Sequence, residues 1–158
     1  MKKLLTFILM LLAVTLTACG FSSRAIQIES FVYNNFLVDF SVTNSQKILI
    51  RSFDDLQSYI DEIDESHTDY LEKLNTYDDV FFENNSLVFI NFFEETDGNQ
   101  YSVGVVGGGG STLQIDLERI YSNENMANSY PWNIIIELKN TTYGFTEINL
   151  HIIDSNSN

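Results

Sequence analysis

The seven residues Leu87-Val88-Phe89-Ile90-Asn91-Phe92-Phe93 are apolar almost without interruption. Side chains along a strand point alternately to opposite faces, so such a run has no face to give to water. It reads as a central strand covered on both sides. The segment Trp132-Asn133-Ile134-Ile135-Ile136-Glu137-Leu138 is a second apolar strand near the C-terminal end.

Other strands alternate instead. Leu113, Ile115 and Leu117 are interleaved with Gln114, Asp116 and Glu118, which predicts one buried and one wet face. Phe145 to Ile152 follows the same period after Tyr143-Gly144, and Tyr101 to Val106 is expected to return along the central strand after a tight turn at Asp97-Gly98. Before these, short strands are expected at 26–30, 36–42 and 47–51. Helical spacing then takes over. Phe53, Leu56, Ile60 and Ile63 share one side, with Ser52 and Asp55 in capping-box positions, predicting a helix over 53–65. A second stretch is expected over 69–75, and a further turn at Tyr77 to Phe82. The acids at the far end of the first helix oppose its dipole. The expectation is one α+β domain over 26–153, mostly an antiparallel sheet, with one or two helices inserted before the last four strands and a polar tail at 154–158.

The N-terminal segment is of another kind. Met1-Lys2-Lys3 is followed by an apolar stretch from Leu4 to Leu12, and Leu16-Thr17-Ala18 precedes the one cysteine, Cys19. A basic start, a short apolar region and small residues at a cut site form a secretory signal. Leu-Thr-Ala-Cys resembles the lipobox of bacterial lipoproteins. The resemblance implies a signal peptide at 1–18, a diacylglyceryl group on the Cys19 thiol, and a lipidated tether at 19–25. The protein would then sit on the extracytoplasmic side of a cell membrane. Two acyl chains suffice for stable anchoring where one is marginal.

With Lys2 and Lys3 removed from its eight basic residues, the mature chain keeps six against 22 acidic ones, a net charge of −16. Such a surface repels phosphate backbones, which argues against a nucleic-acid partner. With Cys19 carrying lipid, no thiol remains for a disulfide or a thiolate metal site.

Two further resemblances concern the domain. Phe53 to Ile63, Tyr77-Asp78 with Phe81-Phe82, Leu87 to Phe93, Gly98 and Trp132 to Lys139 follow an order similar to the C-terminal domain of PrcB, a protease-complex accessory family. That implies an envelope accessory domain and carries over no catalytic residue. Gly107 to Gly110 with Tyr130-Pro131-Trp132 resemble two of the three loops of chagasin-type cysteine-protease inhibitors, which would place three loops along one edge. Gly108 and Gly109 at a loop tip, and Trp132, an aromatic beside Pro131, are the candidate partner-contact residues.

Catalytic sets are hard to assemble from the remaining residues. His67 and His151 are the only histidines, and Ser111 lacks the closing glycine of a nucleophile elbow. The acids and amides at 94–99 lack the calcium-loop register. The tetraglycine lacks the Gly-Lys-Ser/Thr ending of a phosphate loop and reads as a hairpin tip. The expected function is a lipid-anchored binding or accessory domain without enzymatic activity, cofactor or metal, and with a protein partner. A chagasin-like inhibitor and a metal-assisted hydrolase are the alternatives.

Overall fold

The computed structural model describes residues 27–34, 45–94, 99–121, 130–139 and 144–155. The signal, Cys19 and its tether, the strand expected at 36–42 and the Asp97-Gly98 turn lie outside these residues. The described chain runs β1 (Gln27–Asn34), β2 (Gln46–Ile50), α1 (Phe53–Ile60), α2 (Thr68–Leu74), α3 (Asp79–Phe82), β3 (Asn85–Glu94), β4 (Gln100–Gly109), β5 (Thr112–Ile120), β6 (Tyr130–Lys139) and β7 (Glu147–Ser155).

Ser52 starts α1 by accepting a hydrogen bond from the Asp55 backbone N–H at 3.1 Å. The helix ends at Ile60, short of the expected residue 65. Acids crowd the next stretch, and Asp64 instead turns the chain by accepting from the Ser66 N–H at 2.8 Å. A negative C-terminal turn opposes the dipole, and an Asx turn offers the backbone another route. Asp78 caps α3 by accepting from the Phe81 N–H at 2.9 Å.

The strands form two sheets, not one. The first has the order β1-β6-β3-β2 and the second β4-β5-β7. Their facing sides share one core: Val88, Ile90 and Phe92 of β3 and Ile134, Ile136 and Leu138 of β6 meet Val106, Leu113, Ile115 and Leu117 across the gap. The opposite side of the four-stranded sheet is roofed by the helices. There Ile50, Leu87, Phe89 and Ile135 pack on Leu56, Tyr70, Leu74 and Phe82. The central-strand reading of Leu87 to Phe93 thus holds, and β6 is covered in the same way.

Several expectations need correction. Among the described residues, helices precede the last five strands rather than four, and three helical segments stand where one or two were expected. Residues Tyr101 to Val106 do not pair with β3; they lie in the second sheet, against β5. Both neighbours of β3 are already taken, by β2 and β6, and its second face needs a covering layer, which β4 and β5 supply. Four of the five strand pairings are antiparallel, but β7 runs parallel to β5. Asp154 and Ser155, expected in a tail, are the last residues of β7. Of the four glycines, Gly107 to Gly109 finish β4, and only Gly110 enters the turn, at φ +62°. That left-handed conformation suits glycine, which has no Cβ to clash.

Candidate functional site

The three-stranded sheet keeps its inner face dry and gives the other to solvent. Along β5, Leu113, Ile115 and Leu117 are fully buried, while Gln114 and Glu118 are exposed. Register fixes their neighbours: Gln114 faces Asn149, Asp116 faces His151, and Glu118 faces Ser102 on one side and Ile153 on the other. Between Val103 and Val106 the β4 register shifts, so Gly104 and Val105 together stand opposite Asp116. Such a bulge bends a strand and re-aims its side chains; Val105 is 57% exposed.

Apolar groups are concentrated here. Among the described residues seven large hydrophobic side chains are exposed; Val105, Ile120 and Ile153 lie on this outer face, while Ile152 and Tyr121 are at the sheet's end on the register of the buried Leu117. The charges beside them are mostly negative. Asp116 lies 3.6 Å from His151 Nδ1 and accepts from Gln114 Nε2 at 3.3 Å. Glu147 accepts from Thr112 Oγ1 at 3.4 Å. At the end of the sheet, on the register of the buried Leu117, Arg119 meets Asp154 Oδ1 at 2.7 Å, donates to the Tyr121 hydroxyl at 2.6 Å and stacks over that ring. The Arg119 hydrogen bond holds the Asp154 carboxyl below its ordinary value. The surface is an acidic field with aliphatic islands.

The contact residues expected from sequence are elsewhere and apart. Trp132 is 7% exposed; its ring packs at 5.0 Å from Tyr101, which in turn meets Phe92 at 4.9 Å. Pro131 is buried beside it. Gly108 lies under Phe145, where an added Cβ would come within 2.5 and 2.7 Å of the ring. Gly109 pairs with Thr112 at the hairpin end. Trp132 and Pro131 are thus packed in the core, and Gly108 and Gly109 are half-buried near the turn. Of the loops in the inhibitor pattern, residues 95–98 and 129 lie outside the described residues. Glu94 pairs with Tyr130, so the C-terminal end of β3 and the N-terminal end of β6 are side by side. The glycine tip is at the other end of the ten-residue β4 from Gln100, about 30 Å away at a strand's rise per residue.

Two polar clusters that the sequence reading did not anticipate sit beneath the helices. In the first, Glu137 is 8% exposed, meets Lys73 Nζ at 3.2 Å and accepts from the Tyr77 hydroxyl at 2.8 Å. The Lys73 ammonium also rests 3.7 Å from the Phe31 ring centre and 4.6 Å from that of Tyr77. Burial first, and the bond to Glu137 second, push the Tyr77 hydroxyl far above its usual range. In the second, Asn91 Nδ2 donates to the Tyr59 hydroxyl at 3.4 Å, and Tyr59 and Tyr70 share a hydrogen bond at 3.1 Å. The signal for both was present: a lone acid or amide inside a doubly covered strand must find a partner. Among the described residues no group of three or more His, Cys, Asp or Glu side chains could hold a metal ion, and no helix is long and apolar enough to cross a membrane.

Comparison with protein-family models, curated proteins and solved structures finds no match for this chain.

Proposed function

We propose that this chain is a lipid-anchored cell-envelope protein whose single α+β domain binds a protein partner through the outer face of the three-stranded sheet, without catalysing a reaction. The observation that carries the binding face is the gathering of Val105, Ile120 and Ile153, three of the seven exposed large hydrophobic side chains among the described residues, on that outer face among Asp116, Glu118 and Glu147. Scattered surface apolar residues need no explanation, but a cluster rimmed by charge marks a contact site. Charge complementarity selects a partner that presents lysine or arginine beside aliphatic groups. The Leu16-Thr17-Ala18-Cys19 sequence supports the anchor, and its resemblance to the lipobox supports an extracytoplasmic address on the cell membrane. The order of helices and apolar strands supports an accessory role of the PrcB-like kind.

Site-specific photo-crosslinking in the native envelope tests the face. A photoreactive residue at Val105 or Ile153 should give a discrete crosslinked protein that fades as salt is raised, whereas one at Val80, 67% exposed on α3, should not. Crosslinks from Val80 and none from the sheet would overturn the proposal. The anchor is tested separately: metabolic fatty-acid labelling should vanish in Cys19→Ala, and label that persists removes the lipobox reading.

A further inference from the structure

The buried part of the helix-facing side of the four-stranded sheet is apolar except at two levels. One is the Glu137 cluster. The other is a complete polar row, since Tyr33, Asn133, Asn91 and Gln46 are successive register partners on β1, β6, β3 and β2. At the centre of that row Asn133 is 0% exposed and Asn91 2%. Three of their side-chain atoms, Asn91 Oδ1, Asn133 Oδ1 and Asn133 Nδ2, have no hydrogen-bond partner in the protein. Buried polar groups left bare are costly enough that folded proteins seldom keep them.

We infer that Asn91 and Asn133 form an internal water-binding site between the four-stranded sheet and helices α1 and α2. The chemistry of the orphaned set selects water. It contains two acceptors and a donor, and water both donates twice and accepts. The two amides do not bond each other directly: Asn91 Oδ1, Asn133 Oδ1 and Asn133 Nδ2 are all without a partner, while Asn91 Nδ2 gives one of its two protons to Tyr59. A larger polar ligand is excluded by the burial of both amides under Tyr59 and Tyr70. Sites of this kind, polar and with several protein partners, are where internal waters persist. The water continues the chain Asn91–Tyr59–Tyr70, so both helices are tied to the sheet through it. This inference does not depend on the binding face.

The test is made on the intact domain. In the wild type, rotating-frame water–protein cross-relaxation should reach the Asn133 side-chain amide protons, as only a long-lived water allows. Absence of that cross-peak overturns the inference whatever the variants do. Oxygen-17 relaxation dispersion then counts the long-lived waters. The amplitude should fall by at least one molecule in Asn133→Leu, which is close in volume, and likewise in Asn91→Leu, each checked for a cooperative urea transition. An unchanged amplitude in a folded variant refutes the site.

Discussion

Removing the Lys73 ammonium while leaving Glu137 in place should unfold this domain more readily than any surface substitution. At 3.2 Å, and with an effective dielectric constant of about 20, the attraction between these charges is about 5 kcal/mol. Part of that offsets the cost of taking both from water, because the Lys73 and Glu137 side chains are only 19% and 10% exposed. Lys73→Met leaves the carboxylate buried with the Tyr77 hydroxyl, and breaking one side of a buried pair costs about 3–5 kcal/mol. Domains have about 5–15 kcal/mol in total. With urea slopes of about 1–3 kcal/mol per molar, the midpoint should fall by about 2 M. The assay is urea unfolding followed by far-UV circular dichroism. The triple variant Lys73→Met, Glu137→Leu, Tyr77→Phe removes both charges and the hydroxyl that would otherwise be orphaned. It should regain most of the wild-type midpoint. A loss below about 1 kcal/mol in Lys73→Met, the scale of an exposed pair, would refute the argument. So would a triple variant no better than the single.

Gly108→Ala should cost about 1–3 kcal/mol, as overpacking does, because its methyl would meet Phe145 at 2.5 Å; Phe145→Leu in the same chain should recover part of it, and a neutral Gly108→Ala in thermal unfolding would show that the ring yields freely. Alkaline titration of tyrosinate absorbance should show Tyr59, Tyr70 and Tyr77 silent until the fold is lost, since burial raises all three. A raised folded value means that their contribution is full below the ordinary tyrosine range and is lost as pH climbs beyond it; early, reversible ionisation of all eight tyrosines would contradict this. Asp154 runs the other way: its lowered carboxyl contributes above the ordinary aspartate value and stops contributing as pH falls through the folded one. Carboxyl chemical shifts followed against pH should show the Asp154 midpoint rising in Arg119→Gln, and an unmoved midpoint would show that the guanidinium is not its cause.

Strand and helix types were legible where a period was clear. The unbroken apolar run at Leu87 to Phe93 announced a doubly covered strand, and Ser52 marked the start of α1. What alternation cannot convey is the identity of a strand's neighbour. Leu113, Ile115 and Leu117 say which face is dry but not that β7 lies alongside in parallel. Short connections suggested hairpins throughout, yet the β3–β4 connection changes sheets, because a sheet apolar on both sides needs a separate layer on each. Trp132 drew notice as a rare aromatic beside proline. Its surroundings were invisible, because Tyr101 reaches it from the other sheet. The candidate face escaped notice for the converse reason: Val105 and Ile153 are unremarkable in sequence, and only the bulge and the register gather them.

The strand order β1-β6-β3-β2 has a consequence for when the molecule can exist. β6 stands between β1 and β3, so residues from the two ends of the chain must meet before the four-stranded sheet closes: Phe31 lies opposite Ile135, and Phe89 lies on the other side of it. Until residue 139 has left the ribosome, β1 lacks its ladder with β6 and β3 has one open edge. Pairings between distant parts of the chain are reached slowly, because the loop must close before any contact rewards it. A growing chain therefore carries its most apolar strand half-paired through much of its synthesis. That is the condition in which strand edges aggregate. Truncation anywhere before β6 should leave a chain that cannot fold, and the domain commits to its structure only when it is nearly complete.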